Sequence, residues 1–255
     1  MKVLAWILGL AALLWSGIWY LGATAAERVG TAWLDQQAEA GWSVAYDSVE
    51  TTGYPMRFDT RFAGLDLADP FTEWAWSAPT FRLVQPAYQP QSVRAIWPGE
   101  QVLTTARQQL TIRADPMEAL LQLRPTDRFS LVRAEADLTG FDISSNWGWT
   151  SAIDSARLMI ADQGDGAARN LDVDAAGIPT GDLALRAENW QAMIALGVNA
   201  GAIPAAMRST LESGLALIAG LSGRPTDLDV TLSFSDGQAY LGPIPLGPAP
   251  VLTLY

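Results

Sequence analysis

The side chains available for chemistry in this chain of 255 residues are carboxylates, hydroxyls and arginines, because it holds no histidine, no cysteine and a single lysine, Lys2. Without an imidazole there is no Ser-His-Asp relay, no imidazole acid or base and no imidazole metal ligand. Without a thiol there is no thiolate nucleophile, thiolate metal site or disulfide. Lys2 precedes an apolar stretch, which excludes a Schiff-base or Ser-Lys site in the folded part. Two carboxylates suffice for a glycosidase, and Asp47 with Glu50, Asp69 with Glu73, and Glu135 with Asp137 lie close in sequence. An acidic protein offers such pairs by composition alone, so they single out no catalytic residue. Asp162, Asp165, Asp172 and Asp174 surround Gly164 and Gly166. Their spacing fits neither the EF-hand nor the nonapeptide calcium repeat and reads as an acidic turn. Arg57, Arg61 and Arg82 are able to grip a phosphate bidentately, or to pair with Asp59 or Asp66. The expectation is a non-enzymatic protein with no catalytic residue, metal or cofactor.

These groups are carried by a chain with a marked N-terminus. Val3 to Leu21 runs nineteen residues without a charge, about 28 Å as a helix, close to the hydrocarbon thickness of a bilayer. Residues 1–26 therefore read as a transmembrane anchor, with Trp19 and Tyr20 where interfacial aromatics sit. The alternative is a signal sequence cleaved near Ala23-Thr24-Ala25, although the apolar run exceeds the usual signal length. Lys2 on one side, against Glu27 and Arg28 on the other, directs the remainder out of the cytoplasm. That remainder has fifteen arginines against 27 acids, a balance that disfavours nucleic acid or an anionic membrane surface as the default partner.

Residues 27–41 continue as a stalk helix, with Val29, Ala32, Trp33, Gln36 and Ala40 near helical spacing and Gly41 as its stop. From Trp42 the apolar period becomes two, through Phe58 and Phe62, Trp74 and Trp76, Phe81 and Leu83, and on to Ile112, which marks strands with one buried face. Turns fall at Gly53-Tyr54-Pro55, Asp69-Pro70, Gln89-Pro90, Pro98-Gly99 and Arg124-Pro125. Asp115 to Leu123 reads as a short helix or turn. Further strands are expected around 129–138, 141–143, 147–153, 156–160, 171–175 and 183–185. Two helices broken near Gly201 and Pro204 occupy 186–223, the second, with few charges, packing on the sheet or else lying on a membrane surface or covering a groove. The closing LGPIPLGPAP is an extended edge or strap.

Residues 57–67 (RFDTRFAGLDL) and 133–143 (RAEADLTGFDI) match at seven positions, each followed by a W-x-W pair, Trp74-Ala75-Trp76 and Trp147-Gly148-Trp149, and then by Arg-Leu. Such order makes two related β-units, or reflects the sameness of alternating strands. The W-x-W pairs set two indoles on one strand face, which suits acyl chains in a groove or ordinary core packing.

The membrane segment running into a Trp-bearing helix, Gly41-Trp42 opening the first strand, the Gly53-Tyr54-Pro55-x-Arg57-Phe58 motif and the closing LGPIPLGPAP together resemble an uncharacterised family of membrane-anchored proteins of Gram-negative bacteria, domain-of-unknown-function family 2125. The resemblance covers nearly the whole chain and brings no established activity with it. More distantly, one anchor followed by a sheet with repeated units is similar to AsmA-like lipid-transfer proteins. This likeness implies an apolar groove by analogy of fold alone.

The fold expected is α+β, mainly β: a long curved antiparallel sheet over 42–255, forming an open groove or half-barrel, with helices around 186–223. The expected location is the inner membrane, single-pass through residues 3–21, with the bulk of the chain in the periplasm. The expected function is binding or transfer of a phospholipid or another apolar envelope molecule along the sheet, at Trp74, Trp76, Trp147 and Trp149, with Gly53, Tyr54, Pro55 and Arg57 as a structural motif. The alternatives are an envelope scaffold that docks proteins through sheet edges or the 205–222 helix, and a carboxylate-only hydrolase.

Overall fold

The computed structural model describes residues 2–114, 117–124, 130–162, 172–173, 178–201, 203–221 and 223–249. It is mostly β, a long antiparallel sheet accompanied by an N-terminal apolar helix and two helices in the C-terminal third. Contacts divide the chain into two compact units, one of Met1–Leu120 with Gly140–Ala152, the other of Leu121–Thr139 with Ile153–Tyr255.

The first unit opens with α1, Lys2–Glu39, one unbroken helix in which the expected anchor and stalk are continuous. It is long and apolar enough to cross a membrane. Gly41, at φ 95°, follows its end, the left-handed conformation with which helices commonly stop. Strands β1 (Ser43–Ala45) and β2 (Ser48–Thr52) both pair with β3 (Arg57–Asp69), which pairs along its whole length with β4 (Trp74–Pro86). Strand β5 (Ser92–Trp97) and β6 (Gln101–Thr104) bind separate stretches of β4, and β7 (Gln109–Arg113) follows β6.

The face that α1 buries differs from the stripe read in the sequence. Val29 and Trp33 are exposed, whereas Leu34 is fully buried against Phe62, Leu65 and Leu67, and Ala23 is buried as well. Close approach is the cause. A Cβ on Gly22 would stand 2.5 Å from the Phe58 ring, and one on Gly30 2.9 Å from the Phe62 ring. Small residues at this spacing let the helix lie on the β3 aromatics, and the larger side chains turn outward.

The segment expected as a helix or turn at 115–123 is instead strand β8, Met117–Arg124, beside β5. Helix propensity in this short apolar run is a weak preference, and pairing with a neighbouring strand overrides it. The strands expected at 129–138 and 141–143 are one strand, β9 (Ser130–Ser145). Trp147 and Trp149 lie in the turn before β10 (Thr150–Asp162) rather than on a strand, so the second W-x-W does not present two indoles on one strand face.

Gly64 in β3 has φ 59° and Gly140 in β9 has φ 55°. Each interrupts the pleat in mid-strand, and in β3 the buried positions change phase there, from Thr60 and Phe62 to Leu65 and Leu67. Only a residue without a Cβ takes that conformation cheaply. The two segments of the proposed repeat therefore share a backbone feature as well as a sequence pattern.

In the second unit β10 pairs with β12 (Pro179–Glu188), which holds the short β11 (Asp172–Val173) and β13 (Asp227–Ser235). Strands β14 (Gln238–Leu241) and β15 (Ile244–Pro248) complete it, so the closing Gly/Pro segment is an extended strand at the end of the sheet, as its composition implies. Helices α2 (Trp190–Asn199) and α3 (Arg208–Leu221) follow the expected break, while residues 186–188 belong to β12. Leu215 and Ala219 of α3 are buried with Trp190, Leu228 and Val230, so α3 packs on the sheet.

Candidate functional site

Pleat alternation decides which side chains of the first unit face α1 and which face away. Phe58 contacts Trp19 and Gly22 of the helix, and Phe81 and Leu83 join the cluster around Leu34. The intervening residues Arg57, Asp59, Arg82 and Val84 therefore project from the opposite face. Register places Arg82 beside Ile96 and Val84 beside Arg94. The result is a groove of about 380 Å³ lined by Met56, Arg57, Arg82, Val84, Pro86, Tyr88, Ser92, Arg94, Ile96 and Leu120.

Three guanidiniums sit in this lining among mainly apolar side chains, with the Ser92 and Tyr88 hydroxyl groups. Asp59, 6% exposed at its side chain, receives both Arg82 Nε, at 3.0 Å, and Arg82 Nη2. The Asp59 hydrogen bond holds the Arg82 guanidinium even more firmly protonated than usual. Arg57 Nη2 lies 3.8 Å from the same carboxylate, and Arg94 Nη1 lies 3.5 Å from Glu118. In these last two loose pairs the arginine side chains are more than half exposed, so water and salt reach the guanidiniums and they are free to reorient toward an anion. Arg61, grouped with Arg57 and Arg82 in the sequence, donates to Thr80 Oγ1 at 3.3 Å and is not part of the lining.

The Gly53-Tyr54-Pro55-x-Arg57 motif forms the tip between β2 and β3 and is tied to α1 inside its apolar run. Trp15 Nε1 donates to Pro55 O and Trp19 Nε1 to Arg57 O, each at 3.0 Å. Ser16 Oγ and Tyr54 Oη are 2.7 Å apart, and Trp19 makes an edge contact with the Tyr54 ring. Higher on the helix, Glu27 Oε1 accepts the Thr51 amide at 2.6 Å. Met56 and Arg57 belong to both the tip and the groove, and Ala87 N donates to Met56 O at 2.9 Å, fixing the Pro86–Tyr88 loop at the same end.

The four expected tryptophans have different surroundings. Trp74 packs against Trp42. Trp76 donates to Gln101 Oε1 at 3.1 Å and lines a second groove, of about 470 Å³, with Ala45, Leu67 and Val102 among its walls. Trp149 donates to Gln108 Oε1 at 3.0 Å, and Trp147 is 65% exposed. In each pair the second indole thus reaches a buried glutamine, Gln101 or Gln108.

Three members of the carboxylate pairs, Asp69, Glu135 and Asp137, have local side-chain partners. Asp69 accepts from Thr72 Oγ1 and Phe71 N, which hold its pKa below the usual carboxylate range, the Thr72 bond foremost. Glu135 pairs with Arg133, Asp137 with Arg157, and Asp47 lies against Gly64. Asp165 and Asp174 of the acidic turn lie outside the described residues, among which no acidic cluster suited to a metal occurs.

Sequence reasoning named Arg57 and Arg82 but missed Met56, Tyr88, Arg94 and Leu120. The missing signal was parity: Arg82, Val84 and Pro86 share one phase of their strand, as do Ser92, Arg94 and Ile96 of theirs, and pairing brings the two rows together. Leu120 was hidden because its strand read as a helix.

Fold and site define a β-sheet protein with one helix of membrane-crossing length and an arginine-bearing groove on the sheet face opposite that helix. The chain belongs to a family described as an uncharacterised protein conserved in bacteria, DUF2125, whose model matches residues 19–170 and 162–250. Every residue of the tip and groove falls within the first match. No curated protein and no solved structure matches the chain.

Proposed function

We propose that α1 holds this protein in the inner membrane of a Gram-negative cell, with the sheet in the periplasm, and that it binds or passes on a phospholipid or similar phosphate-bearing envelope molecule without catalysing a reaction. The observation that carries this reading is the Met56–Leu120 groove: apolar walls, three guanidiniums, and one end beside the apolar run of α1. Arg82 is held in the wall by Asp59, which balances its charge, and the loosely paired Arg57 and Arg94 supply bidentate bonds to a phosphate. Val84, Ile96, Leu120 and Met56 offer surface to an acyl chain. Trp74, Trp76, Trp147 and Trp149 are the further aromatic contacts to test. Lys2, against the balanced Glu27 and Arg28, supports the orientation.

Native mass spectrometry of the full chain, released in mild detergent, tests this. The expected result is co-purifying phospholipid, reduced several-fold in an Arg57→Ser, Arg94→Ser variant whose circular dichroism is unchanged. A ligand-free protein, or equal lipid in the variant, contradicts it. A second reading, a scaffold for a protein partner, draws on Val29 and Trp33, four residues apart and exposed on the outer side of α1.

A further inference from the structure

We infer that the Gly53–Met56 tip is a membrane-inserting element: Tyr54, Pro55 and Met56 enter the outer part of the bilayer that α1 crosses, at the level of Trp15–Trp19, so that the groove opens at the lipid surface. The inference rests on the reading of α1 as a membrane span and adds to it a second point of contact.

Length is the first argument. Trp15, Ser16 and Trp19 are all bonded to the tip. Trp15 lies six residues before Leu21, about 9 Å along the axis. Were the tip kept in water, only Val3–Leu14 would remain for lipid, about 18 Å of helix against a hydrocarbon core of about 30 Å. Only when the tip descends with residues 15–21 does the apolar run match the bilayer.

The second argument is hydrogen bonding. A surface turn ordinarily leaves its carbonyls to water, whereas backbone at membrane depth must be satisfied internally. Here four of the five carbonyls from Gly53 to Arg57 are bonded within the protein: Gly53 O accepts Arg57 N, Pro55 O accepts the Trp15 indole, Met56 O accepts Ala87 N, and Arg57 O accepts the Trp19 indole. Pro55 has no N–H to satisfy. The side chains left outward are those suited to an interface: Tyr54, Met56 and Tyr88 are each more than half exposed. Beside them the Arg57 stem can lie along lipid while its head reaches phosphate.

The chain has no cysteine, so single-cysteine probes are unambiguous. Met56→Cys, Leu10→Cys and Phe71→Cys, each at an exposed side chain, would be labelled with the fluorophore NBD in the full chain. The labelled proteins would be reconstituted into phosphatidylcholine vesicles containing nitroxide lipids at shallow or deep positions. The expected result is strong quenching of the position-56 probe by shallow nitroxide, of the position-10 probe by deep nitroxide, and of the position-71 probe by neither. If the position-10 probe is quenched while the position-56 probe is as open to aqueous iodide as that at 71, the insertion is overturned and the span stands. If the position-10 probe also escapes quenching, both fall.

Discussion

The β3–β4 and β9–β10 hairpins repeat one device in different surroundings. Each has a glycine at positive φ in mid-strand and an arginine on the second strand bonded to an acid on the first, Arg82 to Asp59 and Arg157 to Asp137, although the counterpart of Asp59 in the matched segments is Glu135. In the first, α1 covers the aromatic face, Asp59 is 6% exposed, and the tip beyond Arg57 is tied to the helix. In the second, Arg157 and Asp137 are each 49% exposed. Burial, rather than the repeated sequence, decides which ion pair shapes a site.

The largest break in this contrast should come from Leu34→Ala, which removes the helix side chain filling the β3 core. A loss of about 2–5 kcal/mol is expected, read as a lowered midpoint in chemical denaturation of the full chain. Next comes Asp59→Ala, which leaves Arg82 half-buried without its carboxylate and should cost about 1–3 kcal/mol. Asp137→Ala, at a solvated pair, should cost less than about 1 kcal/mol. Equal costs would dissolve the distinction between the hairpins.

The glycines sharpen it further. A side chain at either position meets roughly 1–2 kcal/mol of left-handed strain. Gly64→Ala must also displace Asp47, whereas nothing lies within 4 Å of a Cβ at Gly140, so Gly64→Ala should be the more destabilising by the same denaturation assay. The smallest effect is at Asp69. Its folded pKa is depressed, so its contribution is present above the ordinary aspartate value of about 3.9 and is lost as pH falls through the lower folded value. An NMR titration should show the Phe71 amide and Thr72 shifting together below about pH 4, with the β3 core unchanged.

Much of this architecture can be read from residue types and spacing. The apolar run, the period-two segments, the helix break before Pro204 and the extended Gly/Pro close all express strong local constraints. What stayed hidden depends on neighbours. Gly22 and Gly30 look like weak helix positions until Phe58 and Phe62 lie against them, and Met117–Leu123 looks helical until β5 pairs with it. The groove is of the same kind: Arg94 and Leu120 carry no motif and become relevant only when register sets Arg94 beside Val84 and β8 comes to lie next to β5. Gln101 and Gln108 are similar, ordinary polar residues until a tryptophan indole makes each a buried partner.

The central claim, that the Met56–Leu120 groove holds a phosphate-bearing amphiphile, is tested most directly by photocrosslinking in intact cells. A benzophenone amino acid would be placed at Leu120, inside the groove, and for contrast at Phe71, exposed in the turn between β3 and β4. A phospholipid-mass adduct at position 120 with none at 71 is the predicted result. Only protein adducts at 120, or equal lipid labelling at both positions, would contradict it.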